Sequence, residues 1–315
     1  MSLQEKEKEI NKIMQQIEYL QQENKDSNID TIHALKQVVE LKTKDAYLHL
    51  SNYDRVYLAR KTTRPNVYEY IEAIFDDFIE LHGDRLNQED SSLVTGLALL
   101  GNMPVTVIGH RKGRTLEENM ECNFGMSRPE GYRKALRLMH QANKFHRPII
   151  TFIDTPGAYP GKQAEENGIG EAIARNLMEM STLEVPIIVV VIGEGGSGGA
   201  LALSVGDKIV MLENSVYSIL SPEGFASILW KDGSRASEAA ELMKLTAKDL
   251  KEMQIIDDII LEPTTGITIQ DTEVFLTIRK YIEENILSLR QLSTKTLIEK
   301  RYEKFRKIGG EDIVK

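Results

Sequence analysis

Apolar and polar positions alternate in three different ways along this chain, and each way predicts a different kind of element. Near the start, Leu3, Ile10, Ile13, Ile17 and Leu20 fall on a narrow stripe of three-and-four spacing among Glu, Gln and Lys, the mark of an amphipathic helix. Lys6 and Asn24 interrupt that seam, which is too short for an independent coiled coil. A turn over 24–30, with Asp30 or Thr31 as N-cap, leads to a second helix from His33 to Leu50, so the first fifty residues predict a helical hairpin. A connector, 51–65, holds a short helix and four cationic side chains, after which Tyr70, Ile71, Ile74, Phe75 and Phe78 carry a helical period over Val67–Leu81 that stops at His82-Gly83.

Strand patterns begin after that. Leu93–Leu100 and Pro104–Gly109 predict a hairpin turned by Gly101-Asn102. Two runs without polar alternation, from Arg147-Pro-Ile-Ile to Asp154 and from Ile187 to Ile192, predict strands covered on both faces. Each is followed by a glycine-bearing loop and a helix, and each is preceded by a helix, over Tyr132–Phe145 and Ala164–Leu183. Strands alternating with helices predict a largely parallel sheet whose ligands gather at the strands' carboxyl ends. Short strands over Lys208–Leu212 and Ser215–Leu220 are expected later, with a helix through Trp230, helices from Ala236 onward except over Ile255–Leu261, and a charged amphipathic tail over Leu289–Ile308.

The densest punctuation is Gly193-Glu-Gly-Gly-Ser-Gly-Gly199, between an apolar strand and Ala200-Leu-Ala-Leu203. Three motifs fit its letters. Gly193, Gly195 and Gly198 satisfy a dinucleotide fingerprint, with Glu213 near where a ribose-binding acid belongs. Gly195, Ser197 and Gly199 satisfy a nucleophile elbow, but all six histidines (His33, His49, His82, His110, His140 and His146) precede Ser197, whereas that triad needs its histidine afterwards. The third reading is an anion hole of backbone amides, which needs no side chain and tolerates this much glycine. Close strand–helix packing accounts for the same glycines without any ligand.

Composition narrows the class. At 315 residues and a formal net charge of −9, the chain can bury a core and lacks the basic surplus of a nucleic-acid binder. Cys122 is the only cysteine, which excludes an internal disulfide or a cysteine metal cluster. The charged opening Met1-Ser-Leu-Gln-Glu-Lys6 and the absence of a long apolar run predict a cytoplasmic protein without a membrane span. Positive charge does collect after the second hairpin strand, where Arg111, Lys112 and Arg114 are candidates for phosphate or carboxylate contacts. Gly157-Ala-Tyr-Pro-Gly-Lys162 falls short of a phosphate loop, having three residues between its glycines and Gln163 after the lysine. With no metal ligand set and no evident acid–base pair, backbone donors are what the sequence offers, and they suit stabilisation of an enolate or similar anion.

Several stretches resemble one family. Leu81-His-Gly-Asp-Arg85, Val107-Ile-Gly-His110, Phe124-Gly-Met through Tyr-Arg-Lys-Ala-Leu-Arg-Leu138, Asp154-Thr-Pro-Gly-Ala-Tyr-Pro-Gly161, Ile192-Gly-Glu-Gly-Gly-Ser-Gly-Gly-Ala-Leu201 and Ser218-Ile-Leu-Ser-Pro-Glu-Gly224 are similar, in this order, to the carboxyltransferase alpha subunits of bacterial acetyl-CoA carboxylase. The resemblance runs from about residue 40 to 300. It implies an α/β crotonase-like spiral of ββα units over 51–292, an N-terminal helical extension at 1–50 used as an interface, and a helical tail over 293–315. It further implies carboxyl transfer from carboxybiotin, borne on the biotin carboxyl carrier protein, to acetyl-CoA, with no covalently bound cofactor and no metal in this chain. The implied partner is a beta subunit carrying a four-cysteine zinc ribbon, in an alpha2-beta2 assembly, with ATP consumed by a separate biotin carboxylase. By position, Gly195, Gly196, Gly198 and Gly199 would stabilise the biotin ureido oxyanion, Gly198 and Gly199 opening the helix. Gly157 and Ala158 would form the facing wall of the biotin pocket, and Ser197 would be small for space.

Overall fold

A computed structural model describes residues 2–23 and 26–310; residues 24 and 25 of the expected first turn, and the last five of the expected tail, lie outside them. Eight strands form one sheet: β1 (Asp76–Glu80), β2 (Leu93–Leu100), β3 (Met103–His110), β4 (Ile149–Thr155), β5 (Ile187–Gly196), β6 (Lys208–Leu212), β7 (Val216–Ser218) and β8 (Asp258–Ile260). Their order is β1-β2-β3-β4-β5-β6-β8, with β7 branching from β5. β1, β2 and β3 are antiparallel, and every later pairing is parallel. The α/β crotonase-like class is the fold observed.

The apolar run of β5 is uninterrupted because both of its faces are covered. Ile188, Val190 and Ile192 join a core that includes the helices Val67–Ile74 and Thr272–Leu289. Ile187, Val189 and Val191 point the other way, into a core with Leu138 and Met139 of the helix Pro129–Lys144 and Met180 of Ile169–Thr182. β5 is also where the sheet divides. Ile188–Val191 pair with β6, and Glu194–Gly196 pair with β7.

Three expectations are corrected. The helix expected over Val67–Leu81 ends at Ile74, and Phe75 turns the backbone extended (φ −118°, ψ 159°) into the edge strand β1. Its start is fixed by a reciprocal cap between Asn66 and Glu69, but Asp76-Asp77, with Asp77 at φ 49°, makes an irregular edge that pairs with Leu97 and Leu99. The helix expected over Ala164–Leu183 is two helices, Lys162–Glu166 and Ile169–Thr182, divided at Asn167-Gly168 where Gly168 takes φ 82°. The strand expected to stop at Ile192 continues through Gly196, so Gly193, Gly195 and Gly196 are strand residues rather than turn residues.

At the N-terminus the helices Leu3–Gln22 and Ile29–Leu48 form the expected hairpin, with the second starting four residues earlier than His33, so that Asp30 and Thr31 lie inside it and Asn28 takes the N-cap position without a side-chain bond. Leu3, Ile10, Ala46, Tyr47 and Leu58 bury together at its base. At the other end the helix Thr294–Lys307 docks through Leu297 and Arg301, each almost fully buried. Among the described residues no helix is long and apolar enough to cross a membrane.

Candidate active site

The two glycine loops meet at the carboxyl ends of β4 and β5, as the parallel pattern requires. The reason each glycine is a glycine differs. A Cβ on Gly193 would lie 2.4 Å from Asp154 Oδ1, and one on Gly195 2.5 Å from the Tyr217 ring. On Gly196 it would meet the Pro156 carbonyl oxygen at 2.2 Å, and on Gly199 the Ala158 nitrogen at 2.5 Å. Those four glycines are set by packing. Gly198 is not, since its nearest neighbours would be the Ile173 side-chain carbons at 3.7 and 3.8 Å. Gly198 also lines a cavity of about 550 Å³, with Ser197, Leu201, Tyr217, Ile219 and Phe225.

The turn between strand and helix is a single residue. Ser197 takes φ 52°, strained for a residue with a Cβ, and begins a five-residue helix, Ser197–Leu201, capped by Gly196 without any side-chain bond. The helix therefore opens one residue before Gly198. Its first N–H groups have no intrahelical acceptor, and with so few residues the local donors outweigh any helix dipole. Ser197 is exposed, and among the described residues no histidine hydrogen-bonds to it. Gly157, at φ 149°, and Ala158 pack directly behind Gly196 and Gly199 and do not line that cavity.

An ionic cluster invisible in the motifs ties the loops together. Lys112 Nζ lies 2.8 Å from Asp154 Oδ1 and 2.7 Å from Glu194 Oε2. Arg60, from the N-terminal connector, reaches Glu194 Oε1 at 2.6 Å and Glu223 at 2.9 Å. Arg64 donates twice to the Ile192 carbonyl, at 3.1 and 2.8 Å, and forms a bidentate pair with Glu262. Burial alone would raise the Glu194 carboxyl, but Lys112 and Arg60 together hold it below the usual range. Burial likewise opposes the charge on Lys112, and Asp154 and Glu194 override it, keeping the ammonium charged.

Of the three cations expected to meet a ligand, each already has a protein partner. Arg111 pairs with Glu121 at 3.2 Å and stacks over Tyr68, Arg114 reaches Glu69 at 2.5 Å, and Lys112 belongs to the cluster just described. The sequence signal for Asp154 and Glu194 is charge placed at the ends of apolar strands, where a solvated group has no reason to be, whereas the polar connector carries no such signal for Arg60.

Comparison with known proteins identifies the family. A family model described as acetyl co-enzyme A carboxylase carboxyltransferase-like matches residues 3–309. A protein of Halalkalibacterium halodurans, named acetyl-coenzyme A carboxylase carboxyl transferase subunit alpha, is 54% identical over 306 residues, spanning 96% of this chain and 94% of its own. A Bacillus cereus protein of the same name is 54% identical over 310 residues, with the same shares covered. Among solved structures, a transcarboxylase 12S with methylmalonyl-coenzyme A and methylmalonic acid bound superposes with a TM-score of 0.58 at 20% identity, over 72% of this chain and 42% of that one. The beta subunit of a Pseudomonas aeruginosa geranyl-CoA carboxylase gives 0.57 at 13% identity, over 80% and 45%. These distant structures speak for the fold, and the close relatives for the family. The chain belongs to the acetyl co-enzyme A carboxylase carboxyltransferase-like family.

Proposed function

We propose that this chain is the alpha subunit of the carboxyltransferase component of acetyl-CoA carboxylase, transferring the carboxyl group of carboxybiotin to acetyl-CoA to give malonyl-CoA, the first committed step of fatty-acid synthesis. The observation that carries the reading is Gly198, a glycine bordering an open cavity for which packing gives no reason. When carboxybiotin loses its carboxyl group, negative charge develops on the ureido oxygen. Backbone N–H groups at Gly198 and Gly199 are suited to hold that charge, and a side chain at 198 would stand between donor and oxygen. The apolar lining by Leu201, Tyr217 and Phe225 suits the hydrocarbon part of biotin. Gly157 and Ala158 fix the turn from behind, Gly195 and Gly196 shape its approach, and Ser197 supplies space.

The cavity is open on one side, rimmed by exposed Ile219, Leu242 and Met253. A zinc-ribbon beta subunit would cover it and bring the acetyl-CoA enolate site, in an alpha2-beta2 assembly served by the carrier protein and biotin carboxylase in the cytoplasm. Residues 51–292 would form the catalytic unit, flanked by the 1–50 hairpin as an interface and the 293–315 tail. Co-expression with the beta subunit, followed by carboxyl-transfer assays with acetyl-CoA and propionyl-CoA, tests this: the pair turns over and the single chain does not. Activity of the chain alone would refute it.

One feature favours a second reading, a serine hydrolase: Ser197 is exposed at φ 52°, as a strained nucleophile would be. A fluorophosphonate probe separates the two, since labelling at Ser197 supports hydrolysis and its absence supports carboxyl transfer.

A further inference from the structure

Six residues among those described carry buried side-chain nitrogen or oxygen atoms without a hydrogen-bond partner: Tyr70, His110, Arg128, Glu130, Tyr132 and Asn176. Two of them converge on Gly199. Tyr132, fully buried in the helix Pro129–Lys144, packs its ring among Ala164, Ile169, Ala172 and Ala202. Its hydroxyl lies 3.0 Å from where a Cβ on Gly199 would stand. His110 ends β3, fully buried, with its ring against the carbonyls of Phe152 and Gly199. On a third side Gly199 abuts Gly157 and Ala158, whose loop is tied back towards Tyr132 by the Tyr159 N–H bond to the Ser127 carbonyl at 2.9 Å.

A buried polar group without a well-aligned partner loses its hydration and recovers little of it in the fold. For packing alone, phenylalanine would fill the site of Tyr132 as well, and an apolar residue would fill that of His110. Neither group makes a well-formed hydrogen bond, Tyr132 having only Ser127 near its hydroxyl and His110 only the Phe152 and Gly199 carbonyls near its ring, and both face the same glycine of the turn. We propose that Tyr132 and His110 are positioning residues, which set the Gly198–Gly199 turn against Gly157–Ala158 as negative charge develops there. The hydroxyl and the imidazole N–H are donors that tighten onto the turn's backbone in the working complex, fixing the angle at which the Gly198 and Gly199 N–H groups meet the anion. Neither touches the reacting atoms.

This rests on the reading of the turn as the anion site, so the test separates the two. Tyr132→Phe, His110→Gln and Gly198→Val are each assayed in the reconstituted complex, using decarboxylation of malonyl-CoA in the presence of free biotin, with melting midpoints taken on the same preparations. Tyr132→Phe and His110→Gln should lower kcat about 10- to 100-fold, below the loss from deleting an oxyanion donor outright, with KM for malonyl-CoA changed less than twofold. Tyr132→Phe should melt no lower than the parent. A purely structural role would instead lower the melting point or the yield of complex and leave kcat per assembled complex unchanged. A kcat within twofold of the parent for Tyr132→Phe, while Gly198→Val is inactive, overturns the positioning role and leaves the anion site standing. An active Gly198→Val overturns the anion site itself, and the positioning role with it.

Discussion

The main-chain N–H of Glu194 donates to Asp154 Oδ1 at 2.9 Å, joining the carboxyl ends of β4 and β5 through one carboxylate. Lys112 sits on the same oxygen and on the Glu194 side chain, so the three form a closed ring of charge. Asp154→Ala would leave a buried N–H and a half-paired ammonium, at a cost of about 3–5 kcal/mol. Urea unfolding should show that loss, and carboxyl transfer should fall further than the remaining folded fraction explains, because the loops lose their mutual register.

Gly198 and Gly199 are adjacent and should fail for different reasons. A Cβ on Gly199 meets the Ala158 nitrogen at 2.5 Å, and main chain cannot step aside, so Gly199→Ala should unfold at markedly lower temperature. A side chain on Gly198 starts in ordinary contact with the Ile173 side chain, at 3.7 Å, beside the cavity that Gly198 lines, so Gly198→Val should fold and melt like the parent. Valine keeps the main-chain N–H but crowds the anion away from it, and the carboxyl-transfer rate should fall towards the ~10²–10³ that losing an oxyanion donor costs. Circular-dichroism melts beside steady-state rates distinguish the two variants.

His110 gives the fold an acid-sensitive point. Burial pushes its imidazole down to about 3, with Lys112 adding repulsion to the charged form and the neighbouring carbonyls opposing both. Its folded pKa is thus below its unfolded value of about 6.5. The unfolded chain binds more protons between those values, so stability falls as the pH drops from about 6.5 towards 3, by up to about 1.4 kcal/mol per unit. His110→Gln removes that slope. Urea unfolding at pH 7.5 and 5.0 should show the parent losing about 2 kcal/mol more than the variant across the interval.

How much of this was legible follows from the range of the interactions. β4 and β5 could be read because an apolar strand covered on both faces leaves a local signature, as Ile187–Ile192 does, and β2 and β3 because Gly101-Asn102 marks a hairpin turn between them. β1 could not, since Phe75 and Phe78 satisfy a helical period and the edge strand is set by pairing with Leu97 and Leu99. The glycines of the knot were visible, but not the division between Gly198 and the rest, which depends on backbone arriving from Pro156 to Ala158. Arg60 meets Glu194 across 134 positions, and no spacing rule reaches that far.

The tail helix offers the sharpest test of how the far end of β5 is held. Arg301 is buried, its guanidinium bonded to both Asp207 oxygens at 2.9 and 2.8 Å and to the carbonyls of Met180, Leu183 and Val185 at 2.8 to 2.9 Å. Asp207 in turn accepts the Ile187 N–H at 2.8 Å, so the start of β5 hangs on this pair. Arg301→Leu would strand a buried carboxylate and three carbonyls, costing about 3–5 kcal/mol. Arg301→Lys should recover only a minor part, because one ammonium with three donors cannot span five acceptors that a planar fork serves. Adding Asp207→Asn to Arg301→Leu removes the stranded charge while keeping an acceptor for Ile187, so the double variant should be more stable than Arg301→Leu alone. Denaturant midpoints for the four proteins check the order parent, double variant, Arg301→Lys and Arg301→Leu. A double variant no better than Arg301→Leu would mean that the lost carbonyl bonds, and not the stranded charge, dominate the cost.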